Sequence, residues 1–380
     1  MSGAGGAAGE RTLVFVFLRG GLDGLNAVVP TFDADYRRLR PTIALERRQA
    51  GERTGAGAIP LDDRFALHPA LEPLLPLYRE ERLAILHAVG SDDATGSHFE
   101  AQDQMEHGAT AAVPLTGGWL ARWLRTGADA GALSALAFGR ALPESLRGAP
   151  SVAAVTSLDD LRLGTRDPGR SHDFADALER LYARESGLVE RAGADALALL
   201  RRVEEIRGDA APPAGYPESD FGRSLAQVAR LVRRGVGLRA VAIDQGGYDT
   251  HVGQDLLLAD ELRDLGTGLA AFDADLGDLR EQVTVVCLTE FGRRMYENAG
   301  LGTDHGRASC AFVTGGGVHG GRVIAEWPGL AEEQAEGPGG LRVTLDYRDV
   351  LWEALERRFG ATDPGAVFPG LRPRRPGIFT

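Results

Sequence analysis

The sequence predicts an α/β fold: one large, mainly parallel sheet with a mixed edge and helices on both faces. Three observations predict it. Several short runs are apolar throughout and rich in β-branched and aromatic residues, which suits strands buried on both faces. Helical patterns lie between those runs, and such alternation builds a parallel sheet. Short polar clusters sit at the ends of the runs, where open α/β sheets bind their ligands.

Leu13-Val14-Phe15-Val16-Phe17-Leu18 is the clearest strand. A short helix follows at Pro69 to Leu77, then a strand at Leu83 to Val89 and a helix at Phe99 to His107. Ser151 to Thr156 reads as a weaker strand. Asp173 to Arg207 is long and charged, with Leu178, Leu181, Leu188, Leu197, Leu200 and Val203 largely at helical spacing. The Pro-rich stretch from Pro212 to Pro217 breaks it, and Ser219 caps a helix from Asp220 to Arg233. A strand at Leu238 to Ile243, a helix at Asp255 to Leu279 and strands at Val283 to Leu288 and Ala311 to Thr314 continue the series. Tyr347 to Phe359 is the last helix. Glu332 to Gly340 reads as a surface loop, and the tail from Pro364 as extended over the surface. The 380 residues allow one large domain with insertions or two domains. The pattern favours a flexible segment over 1–11 and one domain over 12–380, with a helical insertion around 172–235.

A net charge of −12 argues against a nucleic-acid partner, because phosphate backbones need a basic surface. All 42 basic residues are Arg, which excludes a Schiff-base or P-loop lysine. Cys287 and Cys310 lie in apolar runs and form no CxxC pair, so they read as buried free thiols. No stretch approaches the ~20 apolar residues of a membrane helix. The N-terminus has no basic segment and no export signal, so the sequence reads as soluble and cytoplasmic, or as exported if an upstream signal has been removed.

Five clusters carry the chemistry: Arg19-Gly20-Gly21-Leu22-Asp23-Gly24, Ser97-His98-Phe99, Tyr248-Asp249-Thr250-His251, Thr289-Glu290-Phe291-Gly292 and Thr303-Asp304-His305-Gly306. Four follow an apolar run and the last precedes one. Asp23 is a candidate metal ligand, or else shapes the turn and caps a helix near Leu25. Asp249 and His251 can reach a common point, and carboxylate with imidazole is a common zinc or manganese set. Glu290 is a candidate metal ligand or general base, or an ion-pair partner of Arg293 and Arg294. His305 and Asp304 read as a ligand and its orienting neighbour, in either order. Ser97 opens a helix and is a candidate nucleophile. The plainer alternative makes Ser97 an N-cap, with Glu100 completing a capping box. Arg19, His98, Arg293 and Arg294 are candidate substrate-binding groups, since guanidinium forks suit phosphate-like oxygens. His68, His87, His107, His172 and His319 lack a comparable setting.

These motifs, with Leu67-His68-Pro69-Ala70-Leu71 and Trp327-Pro328-Gly329-Leu330, resemble the family called domain of unknown function 1501. The resemblance runs from about Leu13 to Gly370. It implies a branch of the alkaline phosphatase and sulfatase superfamily: one large α/β domain, one or two divalent metals, and a hydroxyl attacking a phosphate or sulfate ester. By position it implies Asp23, Asp249, His251, Glu290 and His305 as metal ligands and Ser97 as nucleophile. The superfamily often has Asp-His where this chain has Glu290-Phe291, and its Asp-x-x-x-His is shortened here to Asp249-x-His251. The sulfatase motif of Cys or Ser followed by x-Pro-x-Arg is absent, which argues against a formylglycine sulfatase.

The expectation is a metal-dependent hydrolase of a small anionic ester, phosphate- or sulfate-like, using zinc or manganese. Either Ser97 or a metal-bound water would attack. The rival is a binding or assembly protein on a degenerate hydrolase fold. The oligomeric state is not legible in the sequence.

Overall fold

The computed structural model describes residues 11–49, 57–110, 115–127, 134–158, 168–183, 187–206 and 215–380. Its strands are β1 (Thr12–Leu18), β2 (Val28–Pro30), β3 (Ile59–Pro60), β4 (Phe65–Leu67), β5 (Leu83–Gly90), β6 (Ala135–Phe138), β7 (Ala153–Val155), β8 (Ala240–Gln245), β9 (Val283–Leu288), β10 (Ser309–Gly315), β11 (Arg322–Ile324) and β12 (Leu345–Asp346). Nine form one sheet in the order β11-β5-β10-β9-β1-β8-β6-β7, with β12 also on β5. Among the described strands of this sheet only β10 runs against the others, between β5 and β9. The sheet is therefore mainly parallel, but its antiparallel strand lies inside the sheet and not at an edge. A small antiparallel sheet, β2-β4-β3, lies apart.

The alternation of side chains along β1 builds two cores. Val14, Val16 and Leu18 join one cluster with Leu225 and Val228 of the helix Asp220–Arg233 and Leu258 and Leu262 of the helix Gln254–Leu276. Leu13, Phe15 and Phe17 join the other, with Trp119 and Trp123 of the helix Trp119–Arg125 and Leu351 and Trp352 of the helix Tyr347–Phe359. The period of two thus places helices on both faces. Both cysteines are buried and free.

The long charged segment divides into two helices, Pro168–Tyr182 and Leu188–Ile206. Its last expected residue, Arg207, lies outside the described residues, as do residues 1–10 of the N-terminal segment and 212–214 of the Pro-rich loop. The tail is corrected. It forms a short helix at Pro364–Val367 and then docks, with Phe368 and Ile378 fully buried and Phe379 bridged to Val318. Apolar side chains anchor it where its Pro and Arg content suggested an extended course over the surface.

Topology gathers the polar clusters. β1, β5, β8 and β9 all point their carboxyl ends at one edge, and antiparallel β10 starts there. The segments after those four strands and before β10 therefore share that edge.

Candidate metal centre

Gly20 and Gly21 carry the chain away from β1 with φ of +114° and +70°. A Cβ on Gly20 would lie 2.6 Å from the Asp249 nitrogen, and one on Gly21 would lie 2.7 Å from the Phe291 ring. Only glycine permits both the backbone angles and this approach. The loops after β1, β8 and β9 are thereby pressed together.

Three imidazoles converge on one carboxylate oxygen. The Nε2 atoms of His251, His305 and His98 lie 3.0, 3.1 and 3.4 Å from Asp249 Oδ1. His251 and His305 face each other, Nε2 to Nε2, at 3.0 Å. Each outer nitrogen is held by an oxygen. His98 Nδ1 bonds Glu290 Oε1 at 2.8 Å, His251 Nδ1 bonds Asp304 Oδ1 at 3.0 Å, and His305 Nδ1 bonds the Gly96 carbonyl at 2.7 Å. Those oxygens only accept, so each Nδ1 carries the proton. In the neutral ring each Nε2 then presents a lone pair inward.

Four acceptor atoms thus meet with one donor, Arg293 Nη2, at 2.6 Å from Asp249 Oδ1. His98 Nε2 is buried with no hydrogen-bond partner among the described residues. Lone pairs at these separations repel unless a proton or a cation lies among them. The donor set of imidazole nitrogens and a carboxylate, each ring oriented by a second oxygen, fits a divalent cation. The donor atoms of His98, Asp249 and His305 all lie within 4.8 Å of one another.

Burial raises the Asp249 pKa, but the Arg293 guanidinium bonded to it outweighs this and holds it well below the usual range. The bond to Glu290 raises the His98 pKa against the effect of burial. Burial lowers that of His305. Asp304 is lowered, chiefly by its bond from Asn298 and then by that from His251. The cluster is open, with the side chains of Asp249 and His251 48% and 40% exposed.

Glu290 is fully buried behind this cluster. Its Oε1 accepts from Gly20 N, His98 Nδ1 and Gln102 Nε2, each at 2.8 Å, and its Oε2 from Thr289 Oγ1 at 2.9 Å. Burial raises its pKa, yet these bonds leave it lowered. Its Oε1 bond orients His98.

Asp23 stands apart from the imidazoles. It pairs with Arg40 at 2.6 Å, accepts from Gln254 Nε2 at 2.6 Å, and caps Leu25 N at 3.2 Å. Both charged side chains are fully buried. Gln254 Oε1 in turn accepts from Thr250 and Thr303, which flank Asp249 and Asp304 in sequence. Asp23 is therefore linked to the centre through Gln254, and through Arg40 to the backbone of Arg294.

The arginines expected to clamp an anion are each already paired within the protein. Arg293 is 1% exposed and donates to the carbonyls of Gly20, Gly21, Tyr248 and Thr303 as well as to Asp249. Arg19 is tied to Gln102, Glu106 and Asp244. Arg294 bonds Tyr296 and lies 3.5 Å from Asp304. Ser97 holds the N-cap position of the helix His98–His107, but its side chain makes no cap bond, so the capping box is not formed. Sequence reading offered Gln254 either as a partner of Asp249 and His251 or as the start of the next helix, and it missed Gln102, Arg40 and the Gly96 carbonyl. Gln102 lies four residues beyond His98, one helical turn on, and that spacing is the one signal that could have linked them.

The pattern set by a family described as "Protein of unknown function (DUF1501)" matches residues 10–370. No curated protein matches the chain. Similar solved structures include the PH0037 protein from Pyrococcus horikoshii, 11% identical with a TM-score of 0.37, the match covering 93% of this chain and 98% of that one. PsFucS1 sulfatase from Pseudoalteromonas sp. is 12% identical with a TM-score of 0.38, covering 97% and 73%. The phosphonate monoester hydrolase of Agrobacterium radiobacter is 11% identical with a TM-score of 0.36, covering 93% and 74%. With its motifs spread from the end of β1 to Leu330 and the family pattern covering all but its ends, the chain belongs to the DUF1501 family.

Proposed function

We propose that the chain is a divalent-metal-dependent hydrolase of a small phosphate- or sulfate-like ester. The observation that carries the reading is the convergence of three Nε2 lone pairs on Asp249 Oδ1, with every Nδ1 held by an oxygen. His98, His251, His305 and Asp249 are the ligands, Glu290 and Asp304 orient two of the rings, and Arg293 fixes the carboxylate. Nitrogen-rich donor sets with one carboxylate suit zinc or manganese better than calcium. Bound there, such an ion polarises an ester oxygen and lowers the pKa of a coordinated water.

The motif resemblance to the alkaline phosphatase and sulfatase superfamily supports an anionic ester as substrate. Ser97 supports the hydrolytic reading. Its hydroxyl is free of any cap bond and lies between Gly96 and His98, both bonded into the cluster. In this assignment Ser97 Oγ attacks the ester, the alcohol leaves, and water releases the anion from the serine. Hydrolysis of a panel of phosphate and sulfate esters by metal-loaded protein, wild type beside Asp249→Ala, tests the reading. Turnover in the wild type that is lost in the variant supports it, and equal rates in the two would sink it.

A further inference from the structure

Nine large apolar side chains are exposed among the described residues, and five of them belong to the segments that carry or brace the imidazole cluster. Phe99, next to His98, is 89% exposed, and Val252, next to His251, is 68% exposed. Leu256 and Leu257, at 78% and 53%, lie in the first turn of the helix that begins at Gln254. Leu301, at 50%, belongs to the loop that Asn298 ties to Asp304 and to the His251 carbonyl. Backbone bonds hold this loop against the start of the helix: Gly253 N to Gly300 O and Gln254 N to Leu301 O, both at 2.9 Å.

Leu301 adds an independent observation. Its φ is +57°, a conformation that L-residues avoid and glycine adopts freely. The fold holds an exposed leucine under strain four residues before His305.

We infer that these side chains form an apolar collar around the metal centre, and that the ester taken there carries an alkyl or aryl body that lies across it. The inference rests on the metal reading above. Continuity of the collar with the cluster argues for one amphiphilic ligand, its anionic head on the centre and its body on Phe99, Val252, Leu256 and Leu301. The net charge of −12 argues against an anionic membrane as the occupant.

The test is calorimetric binding of methyl-, butyl- and octylphosphonate, whose C–P bond resists ester hydrolysis, to zinc-loaded protein. Affinity is expected to rise at least twofold and up to about fourfold per methylene, the latter being a fully buried CH2 at ~0.8 kcal/mol. In Phe99→Ser and Leu301→Gly the rise flattens while methylphosphonate binds as before. Leu301→Gly also removes the backbone strain, so folding is retained. Equal affinities across the series in the wild type overturn the collar and leave the metal reading standing. A rise of equal slope in wild type and variants also overturns it. Binding of the long chains alone, lost in the variants, keeps the collar and defeats the metal reading. Binding of none defeats both. Sedimentation of the wild type with phosphatidylcholine vesicles, lost in Phe99→Ser, would overturn the proposal in favour of a lipid surface.

Discussion

Glu290 Oε1 accepts the Nδ1 proton of His98 at 2.8 Å, from a carboxylate that is itself fully buried. The bond fixes the tautomer of His98 and aims its Nε2 at Asp249. Outer-sphere partners of this kind commonly change metal affinity tenfold to a hundredfold when removed. Glu290→Gln is therefore expected to weaken zinc binding by that factor while the fold persists. Competition against a chromophoric chelator measures it, and unchanged affinity would show that Glu290 does not position His98.

Asp23 and Arg40 form a fully buried pair below the centre. Removing one partner leaves the other charge buried and unpaired, which costs about 3–5 kcal/mol. Asp23→Ala should lower the urea midpoint accordingly and leave one equivalent of metal bound to the folded fraction. Loss of metal with little loss of stability would instead make Asp23 a ligand.

Ser97 carries no cap bond, so Ser97→Ala should cost less than the ~1 kcal/mol usual for a capping hydroxyl. Metal content should be unchanged and ester turnover lost. Thermal unfolding and hydrolysis on one preparation separate these. Full activity would move the attack from the serine to water.

His68 and His87 are buried and their pKa values are pushed down by burial to about 4, from 6.5 in the unfolded chain. Below pH 6.5 the unfolded state binds protons that the folded state refuses. Stability is full above pH 6.5, falls as pH drops towards 4, and levels off below. Each ring contributes at most about 1.4 kcal/mol per pH unit over that window. The urea midpoint of His87→Gln, followed from pH 7 to 4.5, should fall less steeply than that of the wild type. Equal slopes would contradict the account.

The long apolar runs were legible because continuous β-branched and aromatic residues suit a doubly covered strand. Leu13 to Leu18, Val283 to Leu288 and Leu83 to Val89 match β1, β9 and β5 to within a residue. β6 was missed because Ala135-Leu136-Ala137-Phe138 is short and alanine-rich, and its place beside β8 comes from tertiary packing. The helix Trp119–Arg125 was missed because its tryptophans look alike in any buried element. The polar clusters were found because each ends or begins a strand. Their division of labour was not legible, because it depends on partners more than a hundred residues away. Glu290 meets Gly20, His98 and Gln102, and Arg293 meets Gly20 and Gly21. The pairing of Asp23 was not legible because nothing in its local sequence announces Arg40, 17 residues on.

The central claim is that His98, His251, His305 and Asp249 hold a divalent transition metal. Elemental analysis of protein purified without chelators, wild type beside Asp249→Ala and His305→Ala, tests it most directly. The account predicts close to one zinc or manganese per wild-type chain and a large loss in both variants, with added zinc raising the melting temperature of chelator-treated wild type alone. A wild type that carries no metal and whose melting temperature does not respond to zinc or manganese would contradict it.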